Sequence, residues 1–470
     1  MNRNRVRTGR RLLLFALVVA GCCGATQAQT QMLLPFTEPI FQSTWANPVA
    51  QPLHRFSVGL PLLSSVEAGV VHNGFTIAGV GTLRGRRWYI DGEKLEKAVA
   101  NQSNMLYGEA QIDLLHYRMA WRNWFFWFGA RAVADATVFY PSDLVNAVVH
   151  GNNAYLGKEL DMTGLDIISK AYSEFTLGAS TFFGDWGVGA RISLLNGIFC
   201  GEAKPGKLAI EVGDDKADMY KHTVHVKGTV HTAGVPYRSN GRPDFSDLKN
   251  NIPSRILNFG NPGVALSAGV SYRPERHTKI TFSFSDLGFI HWGNKLGALA
   301  PKSSDYTLAN IGDLGQMLNQ KRIFWRRLSN ELKENFKLDS AANESAKSFN
   351  TWLSPKFHLI GTYTFAKQTS LGLSFDAIIH RSHFYPSVTA SVQQGFSNLL
   401  LGQLAISYNQ RSFLNLGAGL VFCPGPVQFY VVTDNFLGFI KPSRMNATNL
   451  RLGINLVFGP LYPNSPLTYR

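Results

Sequence analysis

Residues 450–458 read Leu450-Arg451-Leu452-Gly453-Ile454-Asn455-Leu456-Val457-Phe458. Every other residue from Leu450 to Phe458 is apolar, and Arg451, Gly453, Asn455 and Val457 stand between them. Successive side chains of a strand point to opposite faces, so this stretch has one apolar face and one small or polar face. The pattern recurs in Leu414, Leu416, Ala418, Leu420 and Phe422, and in Leu404, Ile406 and Tyr408. It returns in Leu371, Leu373, Phe375 and Ala377, in Trp186, Val188, Ala190, Ile192 and Leu194, and in Val264, Leu266, Ala268, Val270 and Tyr272.

A half-buried sheet in a water-soluble protein alternates in the same way. Three features point to a membrane barrel instead. The segments run about ten residues, the length of a tilted spanning strand. Their apolar faces are nearly free of charge, and the opposite faces carry Gly, Ser, Asn and isolated charges, as a polar lumen does. Aromatics cluster at segment ends, at Trp121, Trp124, Phe125, Phe126, Trp127 and Phe128, at Phe182 and Trp186, and at Phe429 and Tyr430, where interfacial girdles belong. Composition agrees. Only 16% of the 470 residues are charged, against roughly 25% in soluble domains. The apolar fraction of 45% excludes disorder. Beyond the N-terminus no unbroken apolar run is long enough for a spanning helix, and in lipid only helices and closed barrels satisfy their backbones.

Sixteen segments read as strands, near 55–61, 64–72, 75–83, 106–119, 124–138, 172–183, 186–197, 262–272, 278–290, 356–366, 370–380, 385–392, 398–408, 411–422, 427–436 and 448–459. If the first two are one strand or part of a plug, fourteen serve as well. The expected fold is an all-β, transmembrane antiparallel barrel of about 14 strands (14–16) spanning 54–459, with a short tail at 460–470. A chain ending in the periplasm puts the turns at 183–185, 273–276, 367–369 and 423–426 on that side. Two large inserts, 198–261 and 293–350, then fall outside the cell, the asymmetry usual for such barrels. In the first insert, Lys207 to Gly213 and Tyr220 to Thr232 alternate like a hairpin. The second has helical spacing over 312–337. Cys200 and Cys423 fall at opposite ends and are not expected to pair.

The N-terminus gives the compartment. Arg3, Arg5, Arg7, Arg10 and Arg11 precede the apolar run Leu12 to Ala20, and Thr26-Gln27-Ala28 is a cleavage site. Residues 1–28 therefore read as a secretory signal peptide. Val19-Ala20-Gly21-Cys22 also fits a lipobox, which would leave Cys22 lipidated. Removing the leader's five arginines, with no acids, takes the net charge from +15 to +10. The mature chain keeps only Cys200 and Cys423, too few for a disulfide framework.

Two local features resemble the FadL-type fatty-acid transporters of the outer membrane. Ala46-Asn47-Pro48-Val49-Ala50 is similar to the Asn-Pro-Ala element of that family's N-terminal plug, with Val49 in place of Ala. An internal echo joins Ser285-Asp286-Leu287-Gly288-Phe289-Ile290 to Thr433-Asp434-Asn435-Phe436-Leu437-Gly438-Phe439-Ile440. The wider pattern looks like an uncharacterised Bacteroidota outer-membrane family within that group. The resemblance implies a plug at 29–53, with Asn47 and Pro48 as its motif, and passage of a hydrophobic small molecule or an accessory role in an outer-membrane complex.

Chemistry-bearing motifs are sparse. The sequence has no nucleotide-binding loop and no nucleophile elbow, and no enzymatic activity or cofactor is expected. His222, His225 and His231 do not share one face at metal-binding distance, so no metal is expected. The spread of basic residues gives no nucleic-acid footprint. The remaining candidates are charges on the expected inner face: Glu109, Asp113, Arg131, Arg191, Asp376 and Arg451. Mutual pairing is the plainer role, since an unpaired buried charge is costly. The functional role is polar guidance, or binding of a carboxylate headgroup at Arg191 or Arg451. Asp286 and Asp434 read as turn or capping residues. The first functional reading is passive transport of small hydrophobic molecules across the bacterial outer membrane, in contact with its lipids. The alternative is a non-conducting scaffold that holds an outer-membrane protein partner through the 198–261 and 293–350 inserts.

Overall fold

The computed structural model describes residues 31–461, except 74, 86, 101–103, 151–154, 215–220, 238–243, 245, 247–251, 302–303, 309–325, 327–329, 331–335, 339–346, 367, 382, 398 and 410–413. The signal segment with Cys22, the tail from 462 and most of the helix expected over 312–337 lie outside the described residues. The last two residues of that expected helix, Phe336 and Lys337, instead belong to a strand, Phe336–Leu338, paired with Gly297–Pro301.

Fourteen antiparallel strands close into a barrel. β1 comprises His54–Gly59 and Val66–His72. It is followed by β2 (Asn104–Trp121), β3 (Trp124–Tyr140), β4 (Asp166–Phe183), β5 (Trp186–Ala203), β6 (Pro262–Glu275) and β7 (Thr278–Trp292). The circuit continues with β8 (Lys356–Ala366), β9 (Thr369–His380), β10 (His383–Gly395), β11 (Leu400–Tyr408), β12 (Asn415–Phe422), β13 (Val427–Thr433) and β14 (Ala447–Pro460). β14 returns to β1, with Val58 opposite Leu456 and Ala68 opposite Leu450, which closes the wall.

The sixteen expected segments become fourteen strands for two reasons. Segments 55–61 and 64–72 are the two halves of β1, since both pair with β2 and β14. Between them the chain makes a short excursion in which Leu62 has φ 64°. Segment 75–83 is not in the wall. Thr76 caps a short helix, Ile77–Val80, by accepting the Gly79 N–H, and Gly81–Arg84 then forms a separate hairpin with Arg87–Ile90.

The alternating rows point as their chemistry requires. Leu452, Leu420, Leu404, Ile406, Leu371, Leu373, Ile192, Leu194 and Leu266 are exposed on the outer face. Arg451, Asn455, Ser407, Gln403, Ser374, Asp376, Arg191, Ser193 and Ser267, which alternate with them, are buried within. Outward apolar side chains cost nothing in lipid, and barrel closure leaves no free edge. At the short-turn end Trp121, Trp124, Phe126, Phe183, Trp186, Phe365, Phe422 and Phe429 form an outward aromatic rim. Phe125, Trp127, Phe182 and Tyr430, expected in the same girdle, point inward and are buried. Among the described residues no helix is long and apolar enough to cross a membrane. The chain is a closed antiparallel β-barrel with an apolar outer face and a polar interior.

Both large inserts leave from the end opposite the short turns. Lys207–Val212 and His222–Lys227 form the expected hairpin, completed to four strands by Glu159–Asp161 and Asp305–Leu308. Val230–Ala233 extends the β5 edge, and the carbonyl of Ile256 accepts a hydrogen bond from lumen-facing Ser173 at 2.7 Å. The first insert thus folds over part of the mouth. Cys200, near that end of β5, and Cys423, in the β12–β13 turn, are both free thiols.

Candidate functional site

The lumen is filled by the chain's own N-terminal segment. Residues 31–50 are almost wholly buried, built from two short 3-10 turns, Leu34–Phe36 and Phe41–Trp45. Short turns suit this segment because Pro35, Pro39 and Pro48 lack the N–H that a longer helix needs. Its remaining backbone groups therefore bond to the wall. The Leu33 N–H donates to Asp434 Oδ1 at 2.7 Å, and the Gln31 N–H donates to Oδ2 of the same carboxylate at 2.5 Å. Arg191 donates to the Thr44 carbonyl at 3.0 Å, Gln403 to that of Phe36 at 3.1 Å and Gln428 to that of Pro39 at 3.3 Å. Glu38 pairs with Lys279.

Asn47 lies inside this segment and is fully buried. Its side-chain oxygen accepts the Val49 N–H at 3.2 Å, a local turn that sets the chain's path around Pro48. A side chain at Gly189 would collide with the Pro48 carbonyl, so the wall there must be glycine. Gly129 likewise leaves room for the Trp45 ring.

Five of the six expected lumen charges are buried at 5% exposure or less, and Glu109 is partly buried. Arg131 pairs with Glu174 at 2.6 Å and reaches Asp286 at 3.5 Å. Arg191 pairs with Asp286 at 2.7 Å, and Lys356 adds a third cation to that carboxylate at 3.6 Å. Arg451 pairs with Glu67. Asp376 bonds to His358 at 2.7 Å, and Asp113 accepts from Gln42 at 3.1 Å. Glu109 accepts from Tyr107 at 2.7 Å. Arg131, Arg191 and Asp286 share one cluster around Trp45, whereas Asp376 sits apart with His358.

Glu67, Glu174 and Asp286 are the partner carboxylates that the sequence reading did not pick out as such. Asp286 is not a turn residue. It is an extra residue within β7, at φ 62°, opposite a register shift in β6. That αL position aims its carboxylate at the lumen cations. Asp434 caps, but what it caps is the N-terminal segment across the lumen. His225, from the histidine-rich stretch, faces Asp305 and Glu211 in the outer sheet. Hydrogen bonding to Asp305 is the main cause that raises its pKa above the ordinary 6.5. Among the described residues no group of three or more His, Cys, Asp or Glu could hold a metal ion.

Above the N-terminal segment, towards the inserts, the lumen keeps a small pocket. Met105, Tyr107, Ile378 and Tyr385 give it apolar and aromatic walls, and Glu109, Ser354, Lys356 and His380 are its polar points. The Tyr107 ring of β2 and the His380 ring of β9 approach to 5.7 Å. Thr137 on β3 bonds to His380 at 2.9 Å.

Several solved structures are similar over most of their length. The Pseudomonas putida toluene transporter TodX is 9% identical, with 89% of this chain and 94% of that chain covered, at a TM-score of 0.40. The Ralstonia pickettii toluene transporter TbuX is 9% identical over 89% and 93%, at 0.43. A Pseudomonas aeruginosa FadL homologue is 10% identical over 93% and 100%, at 0.41. The scores are low, and the barrel described above rests on its own strand pairing. No curated protein matches the sequence. Residues 48–434 match the model of a family of unknown function, DUF5723, and the chain belongs to that family.

Proposed function

We propose that this barrel carries small hydrophobic molecules passively across the outer membrane, with residues 31–53 acting as its plug. The observation that supports this reading is the small pocket inside the wall above that segment, lined by Met105, Tyr107, Ile378 and Tyr385. It has the makeup of small-molecule sites, apolar walls with a few polar points. A hydrophobic guest would lie between Met105, Tyr107, Ile378 and Tyr385. Lys356 and Glu109 would orient a polar substituent. The paired charges of the lower lumen fasten the plug rather than bind the guest, since Arg131, Arg191 and Arg451 already have carboxylate partners.

Flux tests this directly. Proteoliposomes holding the full chain should admit a small aromatic hydrocarbon faster than empty vesicles. Met105→Trp and Ile378→Trp, which fill the cavity, should reduce the rate towards that of empty vesicles while the barrel stays folded. Equal flux with and without the protein would exclude transport, and unchanged flux in both variants would exclude the cavity.

A further inference from the structure

Arg118 is the lumen cation that breaks the pairing rule. It lies on β2 near the short-turn end, opposite Ser57 of β1 and Trp127 of β3, and is 1% exposed. All three guanidinium nitrogens are buried without a hydrogen-bond partner. Among the described residues no carboxylate pairs with it. The Phe41 ring lies 5.8 Å from its guanidinium carbon, and His116 stacks on the same ring at 3.8 Å. His54 and His116 lie within electrostatic reach, and each has a buried Nδ1 with no partner. The site therefore gathers one fixed cation and two imidazoles, with no acid among the described residues bonded to it.

Burying a charge alone costs far more than burying it paired. Arg131, Arg191 and Arg451 meet that cost with carboxylates, and Arg118 does not. A guanidinium presents a planar fork that matches an oxyanion with two parallel hydrogen bonds. We propose that Arg118, flanked by His54 and His116, is a binding site for an oxyanion, a carboxylate or phosphate, entered from the short-turn end. The nitrogens are buried beneath the Phe41 ring, so the anion enters by local displacement of that side chain and of half-buried His54 at the rim. This site lies at the opposite end of the lumen from the apolar cavity and does not depend on the transport reading.

Amide hydrogen exchange on the full chain in detergent tests it, at constant ionic strength set with sodium chloride. Inorganic phosphate, acetate and decanoate are the probes, and segments 38–46 and 54–58 are the readout. The wild type should show a saturable change in both segments. Arg118→Gln should weaken the apparent affinity about tenfold or more, the loss expected for hydrogen bonds to a charged group. Arg118→Lys, which keeps the charge without the fork, should fall between them. If Arg118→Gln does not fold, His54→Gln at the partly exposed rim should still weaken the response. A response to all three probes assigns small free oxyanions, and a response to decanoate alone assigns the headgroup of an amphiphile. No saturable change with any probe in the wild type overturns the proposal, as does an equal response in Arg118→Gln. Because flux is not read, failure here leaves the transport reading standing, and the reverse holds too.

Discussion

The guanidinium carbon of Arg131 sits 4.2 Å from the centre of the Trp45 ring, and Arg191 approaches the same ring at 5.0 Å. One aromatic residue of the N-terminal segment thus meets two cations of the wall, each held by its own carboxylate. Cation–π contacts strengthen when desolvated, and Trp is their best acceptor. This contact ties the segment to β3 and β5. Trp45→Ala should destabilise the folded protein by about 3–5 kcal/mol, the usual range for a buried Trp or Phe lost to Ala. Denaturant unfolding in detergent would measure it, and residues 31–50 should lose amide protection first.

The Arg451–Glu67 pair separates a fastening from a ligand site. Removing one partner of a buried pair leaves the other uncompensated and costs about 3–5 kcal/mol, while apolar replacement of both is often neutral. Arg451→Met should therefore destabilise strongly, and the double change with Glu67→Met should recover most of the loss. Unfolding of the four proteins in the cycle checks this. A headgroup-binding Arg451 would instead leave stability little changed and alter ligand affinity.

Gly189 tests the path of the plug through a single position. Its space is occupied by the Pro48 carbonyl. Gly189→Val must push the segment away from β5, so protease cleavage within 31–53 should accelerate while heat-resistant barrel migration on gels persists. Unchanged cleavage would place the segment elsewhere.

The outer sheet should respond to pH. The pKa of His225 is raised, chiefly by its bond to Asp305, and that of Asp305 is lowered, chiefly by its bond to His225. The histidine's contribution is complete below its ordinary value of 6.5 and is lost as pH rises through the raised value. The carboxylate's contribution is present above the ordinary carboxylate range and is lost as pH falls through the lowered value. Exchange protection over 207–212 and 222–227 should therefore peak in mild acid and decline as pH rises past 6.5. The effect is small, since Asp305 is exposed, His225 is only partly covered and the pair is screened. His225→Gln should remove the high-pH decline.

Much of this fold was legible because lipid on one side and a polar lumen on the other force the strictest alternation a strand can show. Leu450 to Phe458 is the clearest row, and its faces lie as read. The reading failed where one residue shifts that period. From Asp113, strict alternation would turn Leu115 and Tyr117 inward, but a register shift between Asp113 and Leu115 turns His116 and Arg118 inward instead. Asp286 makes the same change in β7, which places Ile290 and Trp292 inside and Phe289 towards the lipid. A bulge leaves no reliable mark in composition. The run Trp124 to Phe128 misled differently. Five aromatics in a row read as a girdle, yet alternation sends Phe125 and Trp127 inward to pack on the segment. Glu174 was open to detection, as it alternates with outward Phe175 and Leu177. Pairing it with Arg131 needed the β3–β4 register.

Native mass spectrometry of the protein, released gently from its own outer membrane, tests the central claim most directly. The account predicts a small lipophilic adduct on the wild type that is absent from Ile378→Trp. A wild-type barrel with no such adduct, carrying a stoichiometric protein partner on its inserts, would contradict it.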